Sequence, residues 1–389
     1  MRHTIESGLL TIFLEGHIDS ANAPFVEKEV FDVLKETSPT QVIVDAEKLE
    51  YISSSGLRII LKLRQRYADI KLINASSEVY EIFEMTGFTE MMTVEKAYRR
   101  FDIEGCQMIG KGANGKVYRY NRDTIVKVYN QNADLEDIKR ERELSRTAFV
   151  LGIPTAIPYD VVKVGDCYGS VFELLNAKSF DELMIEDAGN LDFVVKKSVE
   201  IVKILHSTDA PPSLPSQKNI ALEWVLQVKG YFDEKDYTKL KSLIQSLPDK
   251  KTMLHGDFHI KNIMQQNEDT LLIDLDTLSY GHPILEFAFM FNAYKGFGVV
   301  DKRVIENFLG FSADTAYQLW RKTLEQYFET TNQDKLDEIE LKASVIGYLR
   351  VMRREITKGR HHTPEGSATV NACKEMLLSL LPQCDTLEF

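Results

Sequence analysis

The stretch from Leu254 to Asp276, LHGDFHIKNIMQQNEDTLLIDLD, constrains this chain more than any other. It sets His255-Gly256-Asp257 in a short loop and Asn262 five residues after the aspartate, followed by an apolar strand, Leu271-Leu272-Ile273, that ends in Asp274. Phosphoryl transfer from a nucleotide needs one carboxylate to orient the attacking hydroxyl and accept its proton. It also needs an amide oxygen and a second carboxylate to hold magnesium against the phosphates. The H-x-D-x-x-x-x-N spacing lets Asp257 and Asn262 share one turn with different aims, and a strand end fixes Asp274 opposite them. An aspartate after an apolar strand is otherwise an ordinary turn former or helix cap, so the reading depends on partners upstream.

Those partners begin at Ile109 to Tyr118, IGKGANGKVY, where Gly110, Gly112 and Gly115 fit G-x-G-x-x-G. A dinucleotide-binding fold uses the same letters between a strand and a helix. Here Val117, Tyr118, Tyr120, Ile125, Val126 and Val128 follow, which predicts a hairpin. That pattern favours a flap whose backbone amides close over phosphates, with Lys127 as the strand lysine expected at the inner phosphates. Such a lysine needs a carboxylate on the next helix to aim it, and Asp137 to Leu144 offers Glu141 and Glu143. Helical periodicity sets Glu141 nearer the face of Ile138 and Ala148 and turns Glu143 further away.

Taken together, the glycine loop, Lys127, HGDFHIKN and IDLD resemble the aminoglycoside phosphotransferase and choline kinase branch of the protein-kinase-like fold, from residue 101 to residue 389. The resemblance implies ATP and magnesium, with Asp257 as catalytic base, Asn262 and Asp274 as metal ligands, and Lys127 on the phosphates. Its spacing from helix to Gly152-Ile153-Pro154 favours Glu143, not Glu141, as the lysine's partner. It also makes Tyr168 to Leu175 the hinge between lobes, where backbone groups of Glu173 and Leu175 would meet the adenine. Two departures stand out: Asp276 replaces the glycine of D-F-G, and Glu286 replaces the usual aspartate of the G-x-P-x-x-D-x-A segment.

A length of 389 residues predicts two or three units. The net charge of −12 argues against general nucleic-acid binding, which demands clustered Lys and Arg. Cys106, Cys167, Cys373 and Cys384 lack metal or disulfide spacing, and no apolar run reads as a signal peptide or a membrane span. These features lead us to expect a reduced, cytoplasmic protein with no membrane partner.

The first 100 residues alternate strands and helices. Leu10, Ile12 and Leu14 predict a half-buried strand; a helix is expected over 22–36, a strand over 41–45, a helix from near Gly56, a strand over 70–73 and a helix over 78–85. The phrases EGHID and VIVDAEKLEYISSSGLRIIL resemble the STAS domain of bacterial anti-sigma-factor antagonists. The resemblance makes Ser55 a phosphoacceptor switch and implies a regulatory protein partner, although Ser53 stands where that family usually has an aspartate. A plain helix-cap role for Ser55 is the alternative. No Gly/Pro/Ser-rich tether separates Val94 from Phe101, so packing of this unit against the small lobe is expected.

The fold class expected is therefore α/β plus α+β: a STAS-like regulatory or docking domain (1–100), then a kinase-like N-lobe (101–175) and C-lobe (176–389). In the C-lobe, helices are expected over 179–183, 190–206, 304–309, 313–328 and 336–356. His206 reads as structural, and the basic run Arg350 to His362 as a phosphate path or, more simply, a solvated helix face. Asp274 is followed within a few residues by Gly281-His282-Pro283 and an apolar helix, which leaves little room for a peptide platform. The leading expectation is an ATP- and magnesium-dependent O-phosphotransferase acting on a small hydroxylated molecule. The alternatives are a serine kinase acting on a partner or on Ser55, and a nucleotide sensor without turnover.

Overall fold

A computed structural model describes residues 1–112 and 114–389. The chain forms two compact units, Met1–Asp102 and Ile103–Phe389.

In the first unit, strands β1 (His3–Glu6), β2 (Leu9–Ile18), β3 (Gln41–Ile52), β4 (Lys71–Ala75) and β5 (Thr93–Lys96) form one sheet in that order. The β1–β2 pairing is antiparallel and the rest are parallel. Helices α1 (Ala23–Thr37), α2 (Ser54–Arg66), α3 (Ser77–Met85) and the short α4 (Phe88–Met91) connect them. Period-2 alternation in β2 buries Leu10, Ile12 and Leu14 against Val30 and Leu34 of α1 and Ile60 and Leu63 of α2. Strand β3 runs seven residues past the expected end at Asp45, because β2 continues beside it through Ile18↔Ile52 with two register shifts. Its polar Glu47, Lys48, Glu50 and Tyr51 are exposed while Leu49 and Ile52 enter the core.

That extension decides the cap of α2. The Ser53 N–H bonds to the Ile18 carbonyl, ending the ladder, and the Ser53 side chain accepts from the Gly56 N–H at 3.5 Å. Ser53 therefore caps the helix. Ser55 does not; it lies in the first turn, partly exposed.

The second unit opens with an antiparallel sheet built from β6 (Gln107–Lys111), β7 (Gly115–Arg119), β8 (Thr124–Tyr129), β9 (Pro158–Val164) and β10 (Cys167–Glu173), ordered β6-β7-β8-β10-β9. Helix α5 (Leu135–Val150) packs on it, burying Ile138, Glu141, Leu144, Ser145 and Ala148. Strand β11 (Lys178–Ser179) and helices α6 (Phe180–Glu186), α7 (Leu191–Ser207), α8 (Gln217–Val228) and α9 (Glu234–Gln245) come next. Strands β12 (Met253–Leu254), β13 (Ile263–Gln266), β14 (Asp269–Leu272) and β15 (Ser279–Tyr280) frame the loop of the signature stretch. Helices α10 (Ile284–Tyr294), α11 (Arg303–Leu309), α12 (Ala313–Tyr327), α13 (Gln333–Thr357) and α14 (Pro364–Leu380) close the unit.

The core of the larger lobe is α10, whose eleven residues are all buried between α12 and α13. Burying each of its phenylalanines stabilises the lobe by roughly 1.5–3 kcal/mol before conformational entropy is subtracted. His206 is structural: its Nδ1 faces the Tyr327 hydroxyl at 2.9 Å and its ring meets Phe287 edge-on.

Candidate active site

The glycine flap comes from the β6–β7 hairpin. Gly115 is required by close approach, since a Cβ there would lie 2.1 Å from the Val128 carbonyl oxygen of β8. Gly110 and Gly112 lie in the same hairpin, beside the cleft, and Ala113 between them and Gly115 is outside the described residues. On β8, Lys127 points into the cleft, with its Nζ 2.6 Å from Glu141 Oε1 and 3.0 Å from Asp274 Oδ1. Burial pulls its pKa down, but the Asp274 and Glu141 carboxylates outweigh burial and hold the ammonium well above the ordinary lysine range.

The lysine's partner is thus Glu141, which corrects the Glu143 implied by the family spacing. Glu141 shares the buried stripe Ile138–Glu141–Leu144–Ala148, whereas Glu143 is turned outward and pairs with Arg142 and Arg146. The helix phase overrides the distance to the Gly-Pro turn.

The loop carrying Asp257 is gripped from below by Glu286, at the start of α10. Its fully buried carboxylate accepts from the His255 N–H at 2.5 Å and the Gly256 N–H at 3.1 Å. Burial pushes this carboxyl up to about 7, against the pull of the backbone amides. Gly256 adopts φ 82°, where a Cβ would come within 2.4 Å of the Thr277 carbonyl oxygen. His255 reaches the Ile273 carbonyl at 3.1 Å, linking the loop to the strand end that carries Asp274. The departure from aspartate at 286 therefore keeps a carboxylate that holds the loop's shape.

Asp257 itself lies between Arg350, whose Nη2 is 3.2 Å from Oδ1, and His259, whose Nε2 is 3.5 Å from Oδ2. Burial raises its pKa, but the His259 hydrogen bond and the Arg350 charge overcome that and hold it well below the usual carboxylate range. Asn262 donates from Nδ2 to the Asp257 carbonyl at 3.0 Å, which orients its amide. Asp274 sits in the left-handed region (φ 61°, ψ 56°), a strained conformation that turns its carboxylate back toward Lys127.

The donor set suits a magnesium ion shared with phosphates rather than a free-standing metal. Among the described residues no group of three His, Cys, Asp or Glu side chains forms a metal cage. Asp274 and the Asn262 amide could supply two oxygens, and a nucleotide would supply the rest. Asp276 adds to the local negative charge: burial first, then Asp274 and Glu141, push its carboxyl up to about 7.

Two clefts meet at these residues. One, about 570 Å³, runs from Ile109 and Val117 past Phe172 to Asp257 and Asp274. At the stretch expected as the hinge, the Glu173 N–H is committed to the Ile157 carbonyl at 3.0 Å and the Leu174 N–H to the Asp123 carbonyl at 2.9 Å, and Glu173 and Leu175 both line this cleft. The other, about 870 Å³, is walled by α5 and α8 and reaches Trp224, Phe289 and Arg353. Glu141, Asp276 and Arg350 line both.

Sequence reading names Arg350 only as the first member of a basic run, with no role at Asp257; the solvated-face reading of that run fails there, since the guanidinium lies over the Phe289 ring at 4.1 Å. The signal available was its position on the buried side of α13, one residue from Leu349 and Val351.

Comparison with known proteins follows the two units. A family model described as a STAS domain matches residues 2–100, and one described as a phosphotransferase enzyme family matches residues 106–321. A candidate anti-sigma factor antagonist of Bordetella bronchiseptica, BtrV, is 35% identical over 91 residues, covering 22% of this chain and 78% of that protein. An anti-sigma-B factor antagonist of Listeria monocytogenes is 29% identical over 108 residues, covering 27% and 88%. Among solved structures, the ADP-bound aminoglycoside phosphotransferase APH(2'')-Ib shares 16% identity over 79% of this chain and 99% of its own, with a TM-score of 0.49. A choline/ethanolamine kinase family protein from Mesorhizobium loti shares 12% over 71% and 87%, with a TM-score of 0.47.

Proposed function

From a chain that belongs to the phosphotransferase enzyme family through residues 106–321 and carries a STAS domain over residues 2–100, we propose an ATP- and magnesium-dependent O-phosphotransferase for a small hydroxylated acceptor. The observation that carries the reading is the ion-pair chain Glu141–Lys127–Asp274, which faces Asp257 across the junction of the two clefts.

In this reading Lys127, aimed by Glu141, binds the inner phosphates of ATP, and the glycine flap covers them with backbone amides. Asp274 and Asn262 would hold magnesium, whose charge would offset that spread over the transferring phosphoryl oxygens. Asp257 orients the acceptor hydroxyl and takes its proton as the oxygen attacks the γ-phosphorus. The new O–P bond forms as the bond to the β–γ bridging oxygen breaks, and ADP departs with that electron pair. Only nine residues, 275–283, separate Asp274 from α10, which supports a small acceptor over a docked peptide. The test is ADP release across a panel of amino alcohols, sugars and aminoglycosides, with Asp257→Asn as control; no Asp257-dependent turnover on any of them would sink the proposal.

A second reading, transfer to a serine of the STAS unit or of a partner docked on it, is favoured by Ser55. That serine is partly exposed and takes no part in capping its helix. Intact mass after incubation with Mg-ATP decides it: one phosphate on Ser55 in the wild type and none in Asp257→Asn supports transfer within the chain.

A further inference from the structure

The ammonium of Lys127 stands over the ring of Tyr129, with Nζ 5.5 Å from the centroid. The two residues lie two apart on β8, so period-2 alternation sends both side chains to the face where Glu141 of α5 meets the lysine. The ring is buried, and its hydroxyl donates to Ser170 Oγ at 3.0 Å. Ser170 is itself fully buried and stands directly opposite Lys127 in the pairing of β8 with β10. On the other edge of β8, Gly115 of the flap pairs with Tyr129, and the Asn130 N–H donates to the Asn114 carbonyl at 3.1 Å. One residue thus joins the root of the flap, the lysine and the strand behind it.

A buried tyrosine with a satisfied hydroxyl is usually an ordinary core residue. Two observations set this one apart. It reaches the wall of the larger cleft beside Glu141, at the edge of the core. It also lies against both members of the ion pair: burial and then the Glu141 carboxylate push its pKa up, while the Lys127 ammonium pulls it down. An ammonium has three N–H donors, and Lys127 commits two of them, to Glu141 at 2.6 Å and to Asp274 at 3.0 Å. Asp274 is also the carboxylate read above as a magnesium ligand, a task that competes with its hold on the lysine. Glu141 and Tyr129 have no such second task. The ring attracts the ammonium through its quadrupole and leaves the third N–H for a phosphate oxygen.

We propose that Tyr129 is a positioning residue for nucleotide binding: its ring, anchored by Ser170, keeps the Lys127 ammonium in place on the phosphates when Asp274 turns to the metal. The inference deepens the phosphotransfer reading and rests on it in one respect, that Lys127 meets the phosphates of a nucleotide.

The test uses the full-length chain and begins with binding. ADP is titrated calorimetrically, with magnesium and then without metal, into the wild type and three variants. Tyr129→Leu removes the ring and should raise Kd for ADP with magnesium roughly tenfold. Tyr129→Phe and Ser170→Ala break the hydroxyl anchor but keep the ring, and each should raise it about threefold. Without metal Asp274 still holds the lysine, so the loss in Tyr129→Leu should shrink to less than about threefold. In steady-state assays the same variant should raise KM for ATP and leave KM for the acceptor unmoved.

A purely structural role for Tyr129 predicts the same loss with and without magnesium, and that result, or an unchanged Kd in Tyr129→Leu, would overturn the proposal. Should Tyr129→Leu fail to fold, which a urea unfolding curve shows, Ser170→Ala decides alone, and an unchanged Kd there overturns it as well. If the Kd values move as expected and no acceptor is phosphorylated, the phosphotransfer reading falls and the role of Tyr129 stands. A wild type that binds no ADP overturns both.

Discussion

Arg350 donates to both the Gly256 carbonyl and the Asp257 carboxylate, each at 3.2 Å, from a helix 93 residues further along the chain. One side chain from α13 thus fixes the backbone and the side chain of the candidate base together. Arg350→Ala should lower kcat roughly a hundredfold, as small misplacements of a reacting group do, and Arg350→Lys should recover only part because it loses the planar guanidinium that lies over the Phe289 ring. Steady-state kinetics with unchanged circular dichroism would check this.

Glu141→Gln should cost roughly a hundredfold in kcat/KM for ATP, since Lys127 loses the carboxylate at 2.6 Å that aims it. Glu143→Gln, which removes only exposed pairs with Arg142 and Arg146, should stay within about threefold and shift stability by less than about 1 kcal/mol. Equal losses in the two variants would contradict the assignment.

Glu286→Gln replaces an acceptor oxygen with an amide group facing the His255 and Gly256 N–H donors. One buried donor is left unpaired, so the larger lobe should lose about 1–3 kcal/mol and turnover should fall with it. Both tryptophans, Trp224 and Trp320, belong to the second unit, so urea unfolding followed by their fluorescence reports on that unit.

Acid should destabilise the same unit through His206. Burial, aided by His282, lowers its pKa from 6.5 to about 3. The folded state therefore refuses a proton that the unfolded chain accepts, and stability present at neutral pH is lost as pH falls below about 6.5. Each pH unit below that costs about 1.4 kcal/mol until pH approaches 3. His206→Gln should flatten this dependence between pH 7 and 5 in the same fluorescence assay, allowing for its lost contact with Tyr327.

Legibility followed sequence distance. The glycine flap, Lys127 and the Asp257–Asn262–Asp274 set were readable because each sits in a contiguous motif whose letters are dictated by the local turn. Glu141 was readable from helix phase, and only the inherited spacing pointed elsewhere. Arg350 was not, since no local pattern says that a basic residue on a mostly buried helix reaches back 93 positions. Helix α9 is legible from its stripe of Tyr237, Leu240, Leu243 and Ile244 at helical spacing. Strand β3 outran its expected end because pairing with β2, not propensity, sets its length.

The grip of Glu286 on the loop also fixes where this molecule can move. The amides of His255 and Gly256 are tied to a helix with no exposed residue, so opening the loop means opening the innermost part of the lobe. Their hydrogens should exchange with solvent only as slowly as the unit unfolds as a whole, while those of the flap, edged by the exposed strand β6, exchange by local opening. Local opening is therefore expected at the exposed edge of β6 and not in the loop under Asp257.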